Sequence, residues 1–295
     1  MSEPGISVIV ASYNSLHTIR ACLKSLRGQD SRSRFEVIVV DSSTDGTGEV
    51  VKKEFPEVIL VGCSNRKFPG AARNMGVARA RGNIICFLDS DCIAFPDWLA
   101  KIEEAHARSD PVIGGCVDNA ARSRAVGWAS YFTEFSWWMP GTQLRRLPEV
   151  PACALTFKRS VLDEMGPMDE WGYSEDSAYL WQMRQAGYAE PLFDPTIMIA
   201  HDGITEFPKF IAHEVFHGQS YGQVRASLHG WGLIRRLAYT LAAPLIYVVL
   251  CARVTLRVFR ARIFIKQFVG AIPLVYLGLL GWSLGEALGY LRGPR

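Results

Sequence analysis

A short apolar run that ends in two carboxylates constrains this chain more than any other feature. Residues 84 to 88 are β-branched and aromatic enough to form a buried strand, and Asp89 and Asp91 follow at its carboxyl end. Ligands of open α/β sheets collect at such strand ends, and paired oxygen donors suit Mg²⁺ or Mn²⁺. The alternative is an ordinary turn, because Asp and Ser are common at turns and helix starts.

Strands and helices alternate through the first part of the chain. Apolar runs at residues 6 to 11 and 35 to 40 are each followed by a polar turn and a helical pattern, and the second run ends in Asp41. Near-continuous apolar strands in this order predict an α/β fold with a mostly parallel, Rossmann-like sheet covered by helices on both faces. The first turn holds neither a dinucleotide glycine fingerprint nor a P-loop, so we do not expect a dehydrogenase or a P-loop enzyme.

Five segments in order resemble the motifs of a known family: residues 6–14, 37–47, 70–76, 87–91 and 172–176. Together they are similar to glycosyltransferase family 2, the inverting enzymes of the GT-A fold. The similarity covers roughly the first 220 residues and leaves the tail outside. We therefore predict a GT-A catalytic domain at residues 1–226 and a separate tail at residues 227–295.

The resemblance implies a site for a nucleotide diphosphosugar, with Mn²⁺ or Mg²⁺ as cofactor. Asp91 of the Asp-x-Asp motif would be the primary metal ligand, and Asp89 would reach the ribose or, through water, the metal. Asp41 would accept a hydrogen bond from the nucleobase, and Arg73 would lie near the base or the phosphates. Local explanations stay open for two of these residues, Asp41 as an Asx-turn residue and Arg73 as a solvated surface base.

An inverting transfer needs one base that takes the proton of the attacking acceptor hydroxyl. The resemblance places that base at Asp176, with Glu175 as its neighbour, at the start of a predicted helix. The helix dipole stabilises both charges, so a base of useful strength also needs an apolar wall or a like charge nearby, which Glu175 could supply. Two acids that merely stabilise the helix start are the alternative.

His201 follows a strand-like run at residues 196 to 200, and we expect it to be a third metal ligand or a hydrogen-bond donor to the diphosphate. A purely structural histidine is the alternative. The next predicted helix lacks the Gln-x-x-Arg-Trp motif that processive family members carry. We therefore expect one sugar to be added to each acceptor.

An aromatic segment at residues 131 to 140 lies between the metal motif and the predicted base. Aromatic faces suit sugar rings and lipid-linked acceptors, which makes Trp137 and Trp138 acceptor-site candidates, together with Glu134. An ordinary core or a membrane-facing surface would carry the same residues.

The tail combines apolar runs with positive charge. Residues 226–295 hold nine Lys or Arg and one acid, Glu286, a net of +8, so the first 225 residues must carry −5 to give the chain's +3. Uncharged runs at 237–252 and 268–285 flank five of these cations, which favours membrane lipids over nucleic acid as the partner. Both runs are short for a span, so spanning helices, a re-entrant hairpin and interfacial helices all stay open.

The N-terminal residues hold no basic segment before the first apolar run, so a secretory signal is not expected. The seven cysteines are odd in number and scattered, which is typical of reduced thiols in the cytosol. Cys86 and Cys92 bracket the acidic turn, but strand alternation places Cys86 inside a strand, and we do not expect zinc. These observations favour the cytoplasmic face of the cell membrane.

The residues and the resemblance together predict a metal-dependent inverting glycosyltransferase that moves a single sugar to an acceptor hydroxyl. We expect a lipid-linked or cell-envelope glycan as the acceptor. A sugar-nucleotide nucleotidyltransferase is one alternative, but it would normally carry a basic glycine-rich loop, which residues 11–14 do not provide. A catalytically silent membrane scaffold is the other, and it would have lost the four predicted site aspartates, all of which are present.

Overall fold

The computed structural model describes residues 3–170 and 172–293. The ends of both predicted domains, residues 1–2 and 294–295, lie outside the described residues. The chain divides into two compact units. The sheet unit consists of residues 1–118 and 143–201, and the helical unit consists of residues 119–142 and 202–295.

One sheet contains the nine strands of the described part of the chain. In chain order they are β1 (Ile6–Ser12), β2 (Phe35–Asp41), β3 (Ile59–Gly62), β4 (Ile84–Asp89), β5 (Cys92–Ala94), β6 (Val112–Asn119), β7 (Arg145–Arg146), β8 (Leu155–Lys158) and β9 (Leu192–His201). Neighbours follow the order β3-β2-β1-β4-β8-β6-β9-β5, and β7 pairs with β9. Strands β3, β2, β1 and β4 are parallel, and the antiparallel part begins at β8. The predicted α/β class, with parallel strands at the centre, is confirmed, and the sheet as a whole is mixed.

The described residues also form eleven α-helices and one short 3-10 turn, at Ala152–Ala154. The helices are α1 (Ile19–Arg27), α2 (Thr47–Glu54), α3 (Pro69–Arg79), α4 (Trp98–His106), α5 (Ala125–Phe135), α6 (Arg159–Met165), α7 (Glu175–Gln185), α8 (Phe207–Leu228), α9 (Leu233–Leu241), α10 (Ala243–Ala261) and α11 (Ile265–Arg292). Helix α5 and the four helices from α8 onward belong to the helical unit.

The central strand β1 brings two predicted site residues to one edge of the sheet. Its apolar, β-branched side chains are fully buried, which suits a strand covered on both faces. In the parallel register, Ser12 pairs with Asp41 on one side and Ala11 pairs with Asp89 on the other. Both acids therefore lie at the carboxyl edge, where ligands of such sheets bind.

Helix α3 lies close to this edge because small residues line its contacts. A Cβ atom added at Gly76 would collide with the side chain of Ile9 on β1, and one added at Gly70 would collide with the backbone oxygen of Asp169. Neither glycine can be enlarged unless the helix or the neighbouring atoms shift. The close approach sets the position of Arg73, which α3 carries between them.

The helical unit is built on close contact between α8 and α11. A Cβ atom added at Gly218 of α8 would collide with the backbone oxygen of Trp282, and one added at Gly285 of α11 would collide with that of Val215. Glycines on both helices remove side chains from the contact, so the two backbones approach each other closely.

The compact units do not follow the predicted boundary between residues 226 and 227. That boundary lies inside α8, and α8 groups with α11 and with residues 119–142. The physical reason is the glycine contact, which holds α8 against the tail. How catalytic and membrane functions divide between the two predicted domains stays a prediction.

The predicted apolar runs correspond to helices of different kinds. The run at 268–285 lies within α11, the one described helix that is long and apolar enough to cross a membrane by itself. The run at 237–252 is divided between α9 and α10, whose axes meet at an angle of 59° next to Pro244. Length and composition alone therefore allow one span, or two if the bent pair is a single span.

Candidate active site

Asp41 is buried at the end of β2, and hydrogen bonds hold its carboxylate in place. Its Oδ1 atom accepts a hydrogen bond from Oγ of Ser12 at 2.9 Å and another from Oγ of Ser43 at 2.5 Å. The Ser43 contact is local, whereas the Ser12 contact ties the carboxylate to the neighbouring strand. The nucleobase role of Asp41 stays a prediction.

Arg73 is a buried cation between two carboxylates. Its side chain is 3% exposed, which excludes the solvated surface base. Its Nη2 atom donates a hydrogen bond to Oδ1 of Asp89 at 2.6 Å, and its Nη1 atom donates one to Oε1 of Glu175. Burial alone would lower the pKa of Arg73, but the adjacent acids Asp89, Glu175 and Asp176 raise it above its ordinary value. A charged guanidinium therefore joins the end of β4 to the start of α7.

Glu175 opens α7 and is buried at its first position. Ser174, which precedes it, adopts a left-handed conformation with a φ of 69° that turns the chain into the helix. Burial raises the pKa of Glu175. The positive charge of Arg73 lowers this pKa and the negative charge of Asp176 raises it, and the combined effect is a pKa of about 7. Glu175 therefore lies where the sequence predicted a like charge beside Asp176, and its effect on Asp176 stays a prediction.

Asp176 is half-buried, and two backbone groups orient its carboxylate. Its Oδ2 atom accepts a hydrogen bond from the N–H of Ala152 in the 3-10 turn at 3.0 Å, and its Oδ1 atom accepts one from the N–H of Ser177 at 2.7 Å. The Ser177 bond is the helix-start contact that the sequence offered as an alternative. The Ala152 bond is long-range and fixes the carboxylate against another element. The role of Asp176 as base stays a prediction.

Asp91, Cys92 and His201 form a cluster with one oxygen, one sulfur and one nitrogen donor. One ligand atom from each lies within 4.8 Å of the other two. Cys92 pairs with His201 across the antiparallel strands β5 and β9, and Oδ2 of Asp91 lies 3.5 Å from Nε2 of His201. These convergent donors fit a divalent cation. Asp89, predicted to reach the ribose or, through water, the metal, is not one of the three clustered residues and accepts a hydrogen bond from Arg73, so its role stays a prediction.

Within the cluster of Asp91, Cys92 and His201, the sequence pattern did not predict Cys92 as a neighbour of His201. Its thiol lies 3.8 Å from Oδ1 of Asp91. Burial, contact with the thiol of Cys153 and the nearby acids raise the pKa of Cys92 well above its ordinary value. The pairing of β5 with β9 joins segments far apart in the chain, and no local pattern signals it.

The three predicted acceptor residues belong to the helical unit. Glu134 lies on α5, where its Oε1 atom accepts a hydrogen bond from Oγ of Ser130 at 2.9 Å, and its Oε2 atom lies 3.8 Å from Nε2 of His213. Trp137 and Trp138 follow the helix and are half-buried. These contacts are compatible with a structural role as well as with acceptor binding, so the acceptor assignment stays a prediction.

Comparisons with known proteins agree with the resemblance. The sequence matches the model of Glycosyl transferase family 2 over residues 7–163. Glycosyltransferase AglE of Haloferax volcanii is 26% identical over 209 residues, which cover 68% of this chain and 66% of that protein. The pre-mycofactocin glycosyltransferase of Mycobacterium tuberculosis is 27% identical over 233 residues, which cover 74% of this chain and 47% of that protein. The chain thus spans less than two thirds of the length of these curated relatives.

A solved structure shares the fold. The mannosyltransferase PcManGT from Pyrobaculum calidifontis, in complex with GDP-Man and Mn²⁺, superposes with a TM-score of 0.62 at 20% identity. The match covers 97% of this chain and 87% of that chain. This likeness confirms the predicted GT-A fold, and the family match covers more than half of the sequence, including the strand-end acids at residues 41, 89 and 91. The chain therefore belongs to glycosyltransferase family 2.

Proposed function

We propose that this family member transfers one sugar, with inversion, from a nucleotide diphosphosugar to an acceptor hydroxyl in a reaction that needs Mn²⁺ or Mg²⁺. The observation that carries the proposal is the position of Arg73, which binds Asp89 at the end of β4 and Glu175 at the start of α7. One buried cation thereby links the proposed donor side of the site to Glu175, the direct neighbour of the proposed base, Asp176. A helix-start acid without a role in the site would have no need of this link.

Asp91 and His201 are the proposed protein ligands of the metal, while Asp89 acts on the ribose or through water. When bound, the ion neutralises charge that develops on the leaving diphosphate. The convergence of Asp91 and His201 supports this assignment, as does the presence of Mn²⁺ and GDP-Man in PcManGT. The side chain of Asp91 is 39% exposed, so its carboxylate is accessible to a substrate.

Asp176 is the proposed base. The acceptor oxygen forms a bond to the anomeric carbon while the bond from that carbon to the diphosphate breaks, and the nucleoside diphosphate leaves with the bonding electrons. The hydroxyl proton passes to the Asp176 carboxylate. The backbone N–H of Ala152 orients this carboxylate. Glu175 and Arg73 set the charge around it, and Asp41 is proposed to bind the nucleobase.

A donor screen tests the proposal. The full-length protein is incubated with each common nucleotide sugar and Mn²⁺, and the release of nucleoside diphosphate and of pyrophosphate is measured. We expect nucleoside diphosphate from one donor, and loss of this product when a chelator removes the metal. Pyrophosphate release would identify a nucleotidyltransferase, and no release from any donor, with or without membranes, would favour the silent scaffold.

We further propose that the acceptor is a lipid-linked or cell-envelope glycan at the cytoplasmic face of the membrane. The support comes from the surface of the helical unit. Large apolar side chains are exposed along α9, α10 and α11, and they include Ile234, Leu241, Leu245 and Leu284. Exposed apolar surface on this scale is typical of a membrane or protein contact. The cations among these helices favour anionic lipid as the partner.

The packing of α11 favours an in-plane position on the membrane over a span. Helix α8 lies beside α11 over much of its length. Gly278 of α11 approaches Phe210 of α8, and further along both helices Gly289 of α11 approaches Gln219 of α8. Helix α8 also carries Lys209 and other polar side chains, so a spanning α11 would draw polar residues into hydrocarbon. An in-plane arrangement exposes only the apolar face of α11 to lipid.

A further inference from the structure

The Cys92 thiol introduces sulfur into a site whose proposed metals prefer oxygen. Asp91, Cys92 and His201 present a carboxylate oxygen, a thiol and an imidazole nitrogen within 4.8 Å of one another. Two of them, Cys92 and His201, are directly paired across β5 and β9, so their side chains leave the sheet on the same face. The sulfur donor is thus built into the sheet next to the proposed metal ligands.

This donor set matches a different class of cation from Mn²⁺ or Mg²⁺. Oxygen-rich shells suit Mg²⁺ and Mn²⁺, whereas mixed sulfur, nitrogen and oxygen shells suit Zn²⁺ and, among its spectroscopic substitutes, Co²⁺ and Cd²⁺. A tetrahedral Zn²⁺ site commonly takes three protein ligands and leaves one position open. The cluster supplies three donors of the required types.

We propose that Asp91, Cys92 and His201 bind a thiophilic divalent cation of the Zn²⁺ class, and that this cation inhibits the enzyme by occupying the place of the activating metal. Binding forms a bond between the metal and the Cys92 sulfur and releases the thiol proton to solvent, with no change of oxidation state. The inhibitory part rests on the proposed metal-dependent transfer, whereas the binding part rests on the cluster alone.

Coordination number explains why such a cation would inhibit rather than activate. An octahedral Mg²⁺ held by one or two protein side chains keeps several positions for phosphate oxygens and water. A tetrahedral ion held by Asp91, Cys92 and His201 keeps only one, which is too few to bridge two oxygens of a diphosphate. The buried position of Cys92 within β5 prevents it from swinging away to free another position.

Absorption spectroscopy with Co²⁺ tests the site without reference to activity. The full-length protein, kept reduced with a phosphine, is titrated with Co²⁺ in the absence of nucleotide, and the thiolate-to-metal charge-transfer band is recorded. Wild type should develop the band at one equivalent of Co²⁺. Cys92→Ser should not, while Cys86→Ser, a change of another buried strand cysteine outside the cluster, should behave like wild type.

Two results would overturn the proposed site: a wild-type protein without the band, or a band that persists in natively folded Cys92→Ser. If Cys92→Ser does not fold, X-ray absorption of Zn²⁺-loaded wild type decides. The expected shell contains one sulfur at about 2.3 Å. A shell of oxygen and nitrogen alone would contradict the proposal.

The inhibitory part has its own readout. Zn²⁺ is titrated into Mn²⁺-supported nucleoside diphosphate release, with each variant normalised to its own rate. Half-inhibition of Cys92→Ser should need at least about tenfold more Zn²⁺ than wild type. Equal sensitivity would contradict inhibition through this cluster. Absence of turnover from every donor would count against the proposed function, while the Co²⁺ spectrum would still decide whether the site exists.

Discussion

Arg73 and Glu175 form a buried ion pair whose strength depends on protonation. The pKa of Glu175 is raised to about 7, chiefly by burial, from an ordinary value of 4.5. A carboxyl group with a raised pKa in the folded state contributes stability below its ordinary pKa and loses that contribution as the pH rises through about 7. The protonation of Glu175 therefore changes within the physiological range.

Urea unfolding at several pH values tests the direction in which stability changes with pH. The free energy of unfolding of wild type should fall relative to that of Glu175→Gln as the pH rises from about 4.5 to about 7, at up to roughly 1.4 kcal/mol per pH unit. Glu104→Gln, at an exposed position on α4, serves as the control and should track wild type. A difference between Glu175→Gln and wild type that stays constant or changes in the opposite direction would refute the raised pKa.

Asp91 provides the second prediction at the scale of a residue. Asp91→Asn removes the proposed anionic ligand, so Mn²⁺-dependent binding of nucleoside diphosphates should weaken at least about tenfold while the fold survives. Calorimetry with GDP and with UDP, each with and without Mn²⁺, measures the effect. Asp97→Asn, at an exposed carboxylate beyond β5, is the matched control. Equal affinity in wild type and Asp91→Asn would show that the metal is bound elsewhere.

The positions of single residues were predictable where the local sequence pattern identifies them. Asp41 and Asp89 could be placed at one edge of the sheet because each ends an apolar run, and parallel strands end together. The contact of Arg73 with Glu175 could not be predicted from spacing, since the two residues are 102 positions apart. The pairing of Cys92 with His201 could not be predicted for the same reason. The family resemblance indicated the roles of residues but not these contacts.

At the scale of elements, the contact between α8 and α11 determines how the tail packs. Gly285 lies against the backbone of α8, whereas Gly270 on the same helix has no atom within 4 Å of an added Cβ. Gly285→Ala should therefore destabilise the protein by about 1–3 kcal/mol through overpacking. Gly270→Ala should be neutral or stabilise by up to about 1 kcal/mol, because alanine favours helix.

Thermal unfolding in detergent measures both glycine variants. We expect a lower Tm for Gly285→Ala and an unchanged or higher Tm for Gly270→Ala. Equal behaviour of the two variants would mean that α8 and α11 do not pack through their glycines.

Three parallel strands, β1, β2 and β4, and part of the antiparallel strand β9 were accessible from sequence, whereas β3 and the other antiparallel strands were not. Runs such as β1 and β4 are predominantly apolar, which identifies them as buried strands. Strand β8 has only four residues and pairs with β4, which is distant in the chain. The boundary predicted at residues 226 and 227 followed the end of the family resemblance, and resemblance carries no information about which helices pack together.

At the scale of the whole molecule, charge is divided unevenly between body and tail. Three exposed cations, Arg253, Arg260 and Arg262, follow the apolar first half of α10. Each cation near anionic lipid contributes about 1 kcal/mol of binding free energy. Changing all three to Gln should therefore weaken binding to anionic vesicles by at least about tenfold and leave binding to neutral vesicles little changed.

Flotation with vesicles of both compositions measures this difference. Lys24, Lys52 and Lys53 changed to Gln provide a charge-matched control from the sheet unit, and this variant should bind like wild type. Tight binding of the tail variant to both vesicle types would indicate a true span and contradict the in-plane arrangement.

The separation of donor binding from proton transfer is the central claim of the proposed function, and Asp176→Asn tests it most directly. Single-turnover transfer with the donor identified by the screen is compared with donor affinity measured on the same preparation. The rate should fall by about a hundredfold or more with donor affinity nearly unchanged, and Glu175→Gln should lose less activity. Retained turnover in Asp176→Asn, or a greater loss in Glu175→Gln, would contradict the assignment of Asp176 as the base.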